Sequence, residues 1–303
     1  MSAPPASVVV CTRNRPVEAE RCVRSILRSR YPSFECIVVD QSDDDRTEER
    51  LGGMAAHGCV RYVRSGTRGL SRARNVGASV AEADVIACTD DDCEVATDWL
   101  ANMVSAFDVD PAIGLVFGSV LPAPHDPRHG FVPAYQRQGA RLARRARDRR
   151  LVDGIGSCMG LRRSAWAALG GFDPLLGAGA RFESGEDMDL ALRALMSGYW
   201  VYETQRAAVT HFGFRTWLEG GALIHGYLYG IGAMTAKHLK CGNWGILWFL
   251  WLLLKRWTLG RPAVDLGHRP PRWLRLRAFL AGGAAGFRTP VDRGAGVYRE
   301  RRA

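Results

Sequence analysis

The sequence predicts an α/β fold, with a mainly parallel sheet flanked by helices and a helical extension at the C-terminal end. Short apolar runs alternate with helical patterns four times before Asp90. Such alternation is typical of βαβ units, whose parallel strands are covered by helices on both faces. The last third of the chain instead contains a long helical pattern, an unbroken apolar run at 245–254 and many basic residues. We therefore expect an α/β domain over residues 1–215 and a helical, basic region over residues 216–303.

The first four strands are predicted where apolar runs end in polar turns. They cover residues 7–11, 34–39, 59–63 and 85–89. Helices are expected between them at about 16–30, 47–56 and 71–81. Pro16 suits the first turn of a helix because its missing N–H would have no partner there, and Ser71 is a plausible N-cap residue.

The chain after Asp92 continues with mixed elements. We expect helices at 99–107, 164–169, 186–196 and 217–239, strands at 113–120, 200–203 and 208–211, a loop at 121–130, and a glycine-containing strand or turn at 154–161. The apolar run within the segment 244–257 is too short to span a bilayer, which needs roughly 20 residues. Its tryptophans and flanking basic residues favour contact with a membrane interface, and the alternative is a helix packed on the core or on a second subunit.

The formal charge of +10 is concentrated in two blocks. Residues 137–150 contain seven Arg and one Asp, and residues 255–302 contain twelve basic residues and three acids. Such blocks favour an anionic partner, which could be a membrane surface, a nucleic acid or a phosphorylated substrate. The alternative is that these arginines are simply solvated.

The eight cysteines are scattered and form no C-x-x-C pair. Cys11, Cys36 and Cys88 fall within apolar runs, where cysteine is usually a small buried hydrophobe. Residues 1–6 contain no apolar segment of the secretory type. We therefore expect reduced thiols and a cytoplasmic protein. Contact of residues 244–257 and the basic tail with the cytoplasmic membrane would make it peripheral.

The turn after the first strand argues against two nucleotide-binding classes. It reads Thr12-Arg13-Asn14-Arg15 rather than Gly-x-Gly. A dinucleotide pyrophosphate needs glycines there for close approach of the backbone, so an NAD or FAD site is not expected. The sequence also lacks Gly-x-x-x-x-Gly-Lys-Ser/Thr, the phosphate-binding loop of P-loop NTPases.

Asp90, Asp91 and Asp92 end an apolar run whose buried sheet cannot accommodate unpaired carboxylates. They should therefore lie at the carboxyl edge of the sheet, where open α/β sheets bind ligands. Carboxylates this close repel one another unless a cation lies among them, and Mg2+ or Mn2+ with a phosphate co-ligand fits best. The alternative is an acidic turn.

Asp40 ends the second strand and can accept hydrogen bonds from a base or ribose, or close an Asx turn.

Further candidate groups lie later in the chain. Arg72 or Arg74, in the third predicted helix, can hold a carboxylate or phosphate, and Arg72 is the one expected in solvent. Glu186 and Asp187 follow a glycine at a helix start, where like-charge neighbours and partial burial raise one pKa toward that of a general base. Capping of the helix explains this pair about as well. His211 ends a short strand and is a candidate ligand, although a lone histidine is more often structural.

Together these stretches resemble family 2 glycosyltransferases of the GT-A fold. The resemblance covers roughly residues 6–215 and rests on the order and spacing of Val8-Val-Val-Cys-Thr-Arg-Asn-Arg-Pro16, Ile37-Val-Val-Asp-Gln-Ser-Asp-Asp44, Gly69-Leu-Ser-x-Ala-Arg-Asn-x-Gly77, Asp90-Asp-Asp92, Gly171-Phe-Asp173 and Gly185-Glu-Asp-x-Asp-Leu190. It implies a Rossmann-like GT-A domain and an inverting transferase that uses a nucleotide-diphosphate sugar, usually UDP-linked, with Mg2+ or Mn2+.

The resemblance also implies a role for each matching residue. The nucleotide-sugar site would comprise Thr12, Arg13, Asp40, Arg74, Asp90 and Asp91. Asp92 and His211 would bind the metal, and Asp187, with Glu186 beside it, would supply the general base. The arginine-rich stretch from Tyr135 departs from the compact core of the family and is left as an insertion.

The expected function is transfer of a sugar from a nucleotide-diphosphate donor to an acceptor hydroxyl. The apolar segment and basic tail favour a lipid-linked or cell-surface glycan as acceptor, and a small molecule stays open; no nucleic-acid partner is expected. A sugar nucleotidyltransferase is one alternative, but the turn after the first strand lacks the glycines that grip a triphosphate. A non-catalytic, membrane-associated protein that binds nucleotide sugars is another, and the presence of Asp92 and Asp187 argues against it.

Overall fold

The computed structural model describes residues 5–55, 57–151, 153–254 and 271–300. Its strands are β1 (Ser7–Thr12), β2 (Glu35–Asp40), β3 (Val60–Arg64), β4 (Val85–Asp90), β5 (Cys93–Val95), β6 (Ile113–Pro122), β7 (Gly130–Phe131), β8 (Arg141–Ala143), β9 (Cys158–Arg162), β10 (Trp200–His211), β11 (Arg215–Thr216), β12 (Val291–Asp292) and β13 (Val297–Tyr298). Its helices are α1 (Pro16–Leu27), α2 (Arg46–Ala55), α3 (Leu70–Val80), α4 (Trp99–Ser105), α5 (Arg163–Ala168), α6 (Glu186–Met196), α7 (Trp217–Lys240), α8 (Ile246–Leu254) and α9 (Arg272–Arg288).

One large sheet forms the centre of the fold. Its strand order is β3-β2-β1-β4-β9-β6-β10-β5, with β8 paired to β10. The first four of these strands run parallel, and β6 and β10 form a second parallel pair. The predicted α/β class is therefore confirmed. Between the two parallel parts, β9 runs antiparallel to both β4 and β6.

Helices cover both faces of the parallel part, because successive residues of a strand point to opposite sides. On β1, Val8 and Val10 belong to the core that contains Ile26 of α1. Val9 belongs to the other core, with Ala73 of α3. All eight cysteines are free thiols, as predicted.

The strand order places the first predicted motifs side by side. The chain moves outward from β1 to β3 and then returns to the other side of β1 with β4. This reversal leaves a crevice at the carboxyl ends of β1 and β4, which is where open α/β sheets bind ligands. The register pairs Cys11 with Asp90 and Thr12 with Asp40, so the predicted residues at the ends of three strands share one edge.

Two local predictions were wrong. Ser71 is the second residue of α3 rather than its N-cap; Gly69 precedes the helix with φ of 107°, and the Ser71 hydroxyl donates to the Leu176 carbonyl at 2.6 Å. The two short strands expected at 200–203 and 208–211 form one strand, β10, with an irregularity between its halves. A bulge of this kind interrupts the apolar pattern without ending the strand.

The C-terminal helices are fastened to the α/β domain. Gly232 of α7 and Gly282 of α9 let these helices touch, because a Cβ at either position would collide with the backbone of the other helix. Lys237 of α7 is fully buried, and its Nζ lies 2.7 Å from the carboxylates of both Asp173 and Asp189. Helix α7 is therefore joined to the domain through buried charges as well as apolar contacts.

Apolar side chains of α8 and α9 face solvent. The large exposed ones near α8 are Trp244, Leu247, Trp248 and Trp251, and those on α9 include Trp273, Leu276 and Leu280. No helix within the described ranges is long and apolar enough to cross a membrane. Part of the predicted interfacial segment, 255–257, and much of the predicted basic block, 255–270 and 301–302, lie outside the described residues.

Candidate active site

A cavity of about 630 Å³ opens at the carboxyl ends of β1 and β4. Its walls are the turn after β1, the aspartate triplet, the start of α6 and one face of α7. All of the predicted site residues except Asp40 line it. The structure thus brings together acids that are almost a hundred residues apart in the chain.

Arg74 is the side chain that joins the two groups of acids. It is 2% exposed, and its guanidinium donates to Asp90 at 3.0 Å and to Glu186 at 3.1 Å. Ser157 donates to the other oxygen of Asp90 at 2.5 Å. Arg72, two residues earlier, points away from the cavity, but it is only partly exposed; it bonds to the Arg68 carbonyl and pairs with Glu300 rather than standing free in solvent as predicted.

Asp91 faces the turn after β1. Its carboxylate accepts from the Thr12 hydroxyl at 2.8 Å and from Arg15 at 3.1 Å. Burial raises the pKa of Asp91 to about 6, even though Arg15 works in the opposite direction. Asp91 therefore connects β1 to β4 at the cavity wall.

Asp92 and His211 form a candidate metal site. Their closest atoms, Asp92 Oδ1 and His211 Nε2, lie 3.2 Å apart. Burial by itself would raise the pKa of Asp92, but the hydrogen bond and charge of His211 and the charge of Arg15 lower it to about 2. The Asp92 carboxylate is thus held in the ionised form that a cation needs.

The surroundings of this pair fit a hard divalent ion. His211 Nδ1 lies 2.7 Å from the Pro133 carbonyl, which orients the ring so that Nε2 faces Asp92; a bound cation would replace this 3.2 Å contact. Gly213 leaves room beside the pair, because a Cβ there would lie 2.5 Å from Nε2 and 2.8 Å from Asp92 Oδ2. The Cys93 thiol is close enough to be a third ligand. A soft thiolate does not suit Mg2+ or Mn2+, however, so we expect oxygen from a bound phosphate to complete the site.

Glu186 and Asp187 begin α6, after Gly185 with φ of 91°. Burial, and next the charge of Asp187, raise the pKa of Glu186 to about 7. The Asp187 carboxylate is partly exposed and accepts from the backbone N–H of Gly156 at 2.9 Å. Because Glu186 is bound to Arg74, Asp187 is the acid of the pair that is more accessible from the cavity.

Asp40 and Arg13 occupy different environments. Asp40 is fully buried, and its two carboxylate oxygens accept from the Ser42 N–H at 2.8 Å and the Tyr62 hydroxyl at 2.7 Å. Asp40 therefore shapes the loop after β2, and Gln41 is the residue of that loop which lines the cavity. Arg13 lines the cavity and has a buried Nε with no hydrogen-bond partner among the described residues.

Sequence reasoning missed several residues of this cavity. Arg15 reaches both Asp91 and Asp92, and it stands in the same polar turn as Thr12 and Arg13. The cavity residues of α7 follow helical spacing: Leu223, Tyr227 and Ile231. This spacing is visible in the sequence, but it does not distinguish a helix that lines a cavity from one that only packs on a core.

Comparisons with known proteins identify the family of this chain. The family model described as glycosyl transferase family 2 matches residues 7–170. The glucosyl-dolichyl phosphate glucuronosyltransferase of Haloferax volcanii is 31% identical over 121 residues, 38% of each chain. An uncharacterized protein of Mycobacterium tuberculosis, Rv1525, is 39% identical over 98 residues, 32% of this chain and 36% of that one. The chain thus matches little more than a third of the length of either relative.

Solved structures share the fold at low sequence identity. The mannosyltransferase PcManGT from Pyrobaculum calidifontis, in complex with GDP-Man and Mn2+, has a TM-score of 0.61 at 20% identity, covering 95% of this chain and 88% of that one. GalNAc-T7 with UDP, GalNAc and Mn2+ has a TM-score of 0.55 at 20% identity, covering 76% and 48%. Staphylococcus aureus TarS has a TM-score of 0.58 at 15% identity, covering 76% and 64%. The predicted resemblance to the GT-A fold is confirmed.

Proposed function

The chain belongs to glycosyl transferase family 2, and from that premise we propose that it transfers a sugar from a nucleotide-diphosphate donor to an acceptor hydroxyl with inversion at the anomeric carbon. One observation carries the proposal: Asp92 with His211, and Glu186 with Asp187, line the same cavity at the strand-order reversal. A single displacement needs a base on the acceptor side and charge neutralisation on the leaving-group side. The two pairs supply these functions.

Asp187 is the proposed general base. It takes the proton from the acceptor hydroxyl as that oxygen attacks the anomeric carbon from the face opposite the diphosphate. The Gly156 N–H, 2.9 Å from Asp187 Oδ2, holds the carboxylate in place. Glu186 stays with Arg74 and is a neighbour that orients the site rather than the base itself.

Asp92 and His211 are the proposed ligands of Mg2+ or Mn2+. The ion, when bound, would neutralise the charge that develops on the departing diphosphate. Arg15 donates to Asp92 at 3.0 Å, so it is placed to hold this carboxylate and to approach the same diphosphate.

The donor side of the cavity is proposed to bind the nucleotide through Thr12, Arg13 and Gln41. The Nε of Arg13 is a donor with no partner among the described residues, while its Nη2 bonds to Asp43, and Asp40 supports this wall through its bonds to Ser42 and Tyr62. We propose a UDP-sugar as donor. A GDP-sugar is the competing donor, because PcManGT was solved with GDP-Man.

The test is a screen of UDP- and GDP-sugars with the purified protein and Mn2+. We expect at least one donor to stabilise the protein in a thermal-shift assay and to release free nucleoside diphosphate, with the transferred sugar in the inverted configuration by NMR. Pyrophosphate formation from a sugar phosphate and a nucleoside triphosphate would instead identify a nucleotidyltransferase. Donor binding with no turnover, in the presence of candidate acceptors, would identify a non-catalytic protein.

The metal site has its own test. Asp92→Ala should abolish the gain in nucleotide affinity that Mn2+ provides, as measured by calorimetry with and without the metal. Cys93→Ala is the matched control, because the neighbouring thiol is unsuited to a hard ion. Unchanged Mn2+-dependent affinity in Asp92→Ala, or its loss in Cys93→Ala alone, would contradict the ligand assignment.

We further propose a lipid-linked or cell-surface glycan as acceptor and peripheral contact with the cytoplasmic membrane. The exposed tryptophans Trp244, Trp248 and Trp251 support this contact, since tryptophan favours the membrane–water boundary. A similar acceptor class is suggested by the dolichyl phosphate in the name of the H. volcanii relative. Flotation with phosphatidylglycerol vesicles should recover the wild type and lose the triple alanine variant; equal recovery would remove this part of the proposal.

A further inference from the structure

One face of α7 forms the cavity wall on the side of the proposed base. Leu223, Tyr227 and Ile231 are spaced four residues apart and therefore lie along one face of the helix. The match to the family model ends at residue 170. Helix α7 thus lies outside the matched region but still forms part of the cavity.

Glycines bring this helix against the segment that precedes Asp187. A Cβ on Gly230 would lie 2.5 Å from the Ser184 carbonyl oxygen and 2.6 Å from that of Phe182. A Cβ on Gly226 would lie 2.7 Å from a carboxylate oxygen of Glu183. Tyr227 is next to Gly226 and less than one helical turn from Gly230, so its position beside the start of α6 is set by backbone contact.

The Tyr227 hydroxyl has no hydrogen-bond partner among the described residues. Both oxygens of Asp187 accept from backbone N–H groups, of Gly156 at 2.9 Å and of Met188 at 2.6 Å. Burial, and then the charges of Asp187 and Glu186, raise the pKa of Tyr227. The phenol therefore stays protonated, and it is a hydrogen-bond donor in the cavity that meets no acceptor in the described part of the chain.

We propose that Tyr227 is a positioning residue for the acceptor and that the acceptor presents a sugar ring to α7. The Tyr227 hydroxyl donates to an oxygen of that ring and holds the attacking hydroxyl at Asp187. Leu223 and Ile231 pack against the C–H face of the ring. This inference rests on the proposed function and names the acceptor class of the same site.

The experiment uses Tyr227→Phe, which removes only the hydroxyl. The probes are octyl glycosides of glucose, mannose, galactose and N-acetylglucosamine, assayed with the donor that gives nucleotide release. We expect the KM for the effective glycoside to rise at least tenfold in Tyr227→Phe. The donor KM and the slow hydrolysis of donor without acceptor should not change. Tyr229→Phe is the matched control, since Tyr229 is on the same helix and packs on Phe182, outside the cavity lining.

Each outcome bears on one claim. An unchanged KM for the glycoside in Tyr227→Phe overturns the positioning role, and so does an equal fall in donor hydrolysis, which would place the hydroxyl on the donor. Failure of every glycoside to increase nucleotide release in a wild type that hydrolyses donor overturns the sugar acceptor and leaves the donor side intact. Where the wild type releases no nucleotide at all, the proposed function fails. Ligand-observed NMR still tests glycoside binding to wild type and Tyr227→Phe, and equal binding overturns the role.

Discussion

Helix α6 carries acids in two contrasting surroundings, one at the cavity and one in the core. At its N-terminal end, Glu186 and Asp187 line the cavity. Further along, Asp189 is fully buried in the core, and its carboxylate meets Lys237 at 2.7 Å, His238 at 3.0 Å and Arg193 at 2.9 Å. Glu186 and Asp187 face a space that a ligand can enter, whereas the charge of Asp189 is neutralised by cations inside the protein.

The two groups show that burial alone does not set the ionisation of an acid. Burial would raise the pKa of both Glu186 and Asp189. The cations around Asp189, chiefly Lys237 and Arg193, reverse this and hold its pKa well below the ordinary value. Glu186 pairs with Arg74, which it shares with Asp90, and it stands beside Asp187, so burial raises its pKa to about 7. The number of nearby cations therefore sets the direction of the pKa shift in these two buried acids.

The largest effect expected from this contrast is on turnover. Asp187→Asn should lower kcat about 100- to 10,000-fold, because general base catalysis contributes on that scale. The free energy of unfolding should fall by no more than about 1 kcal/mol, because the amide oxygen can still accept from the Gly156 N–H and only the bond from the Met188 N–H is lost. Rates with the best donor and urea unfolding curves of the same preparation measure both. Near-normal turnover would refute the assignment of the base.

Asp189→Asn is the matched change in the other group, two residues away. Removing one member of a buried ion pair costs about 3–5 kcal/mol, and we expect the lower end because Lys237 keeps its 2.7 Å contact with Asp173. Turnover at a temperature where the variant is folded should stay close to that of the wild type. An unfolding midpoint equal to that of the wild type, or a loss of activity comparable to that of Asp187→Asn, would erase the distinction between the two groups.

The smallest effect is on the pH dependence of stability. Folding raises the pKa of Glu186 from an ordinary value of 4.5 to about 7, so the folded protein holds this proton more tightly than the unfolded chain. The contribution of Glu186 to the free energy of unfolding should therefore fall as pH rises through this window. The contribution of Asp189, whose pKa is lowered, should be complete above its ordinary value of 3.8 and be lost only in stronger acid.

The variant Glu186→Gln removes the contribution of Glu186 to the pH dependence of stability. Urea unfolding at pH 5 and pH 7.5 should show that the wild type loses more stability than the variant between the two values. Parallel changes in both proteins would mean that Glu186 does not hold the extra proton in the folded state.

Much of the fold was readable because its signals are local. Strand-type runs that end in polar turns predicted β1 to β4 within a few residues, and Pro16 marked the start of α1. The aspartates at 90–92 were expected at the sheet edge because a buried strand cannot continue through unpaired charges, and β4 ends at Asp90. Ser71 shows the limit of such signals. Several residue types can precede a helix, and the Ser71 hydroxyl bonds to the distant Leu176 carbonyl instead of capping α3.

The sequence by itself determined the first four strands, the helices between them and which polar residues reach the carboxyl edge of the sheet, because periodicity and the exclusion of charge act over short stretches of chain. Only the tertiary structure decided which side chains these polar residues contact. It placed Arg74 between Asp90 and Glu186, buried Asp40 against Tyr62, and brought Tyr227 to the cavity. These outcomes depend on which distant segments pack together. The sequence of a motif does not show whether the charge of its carboxylate will be neutralised by a ligand or by a buried lysine.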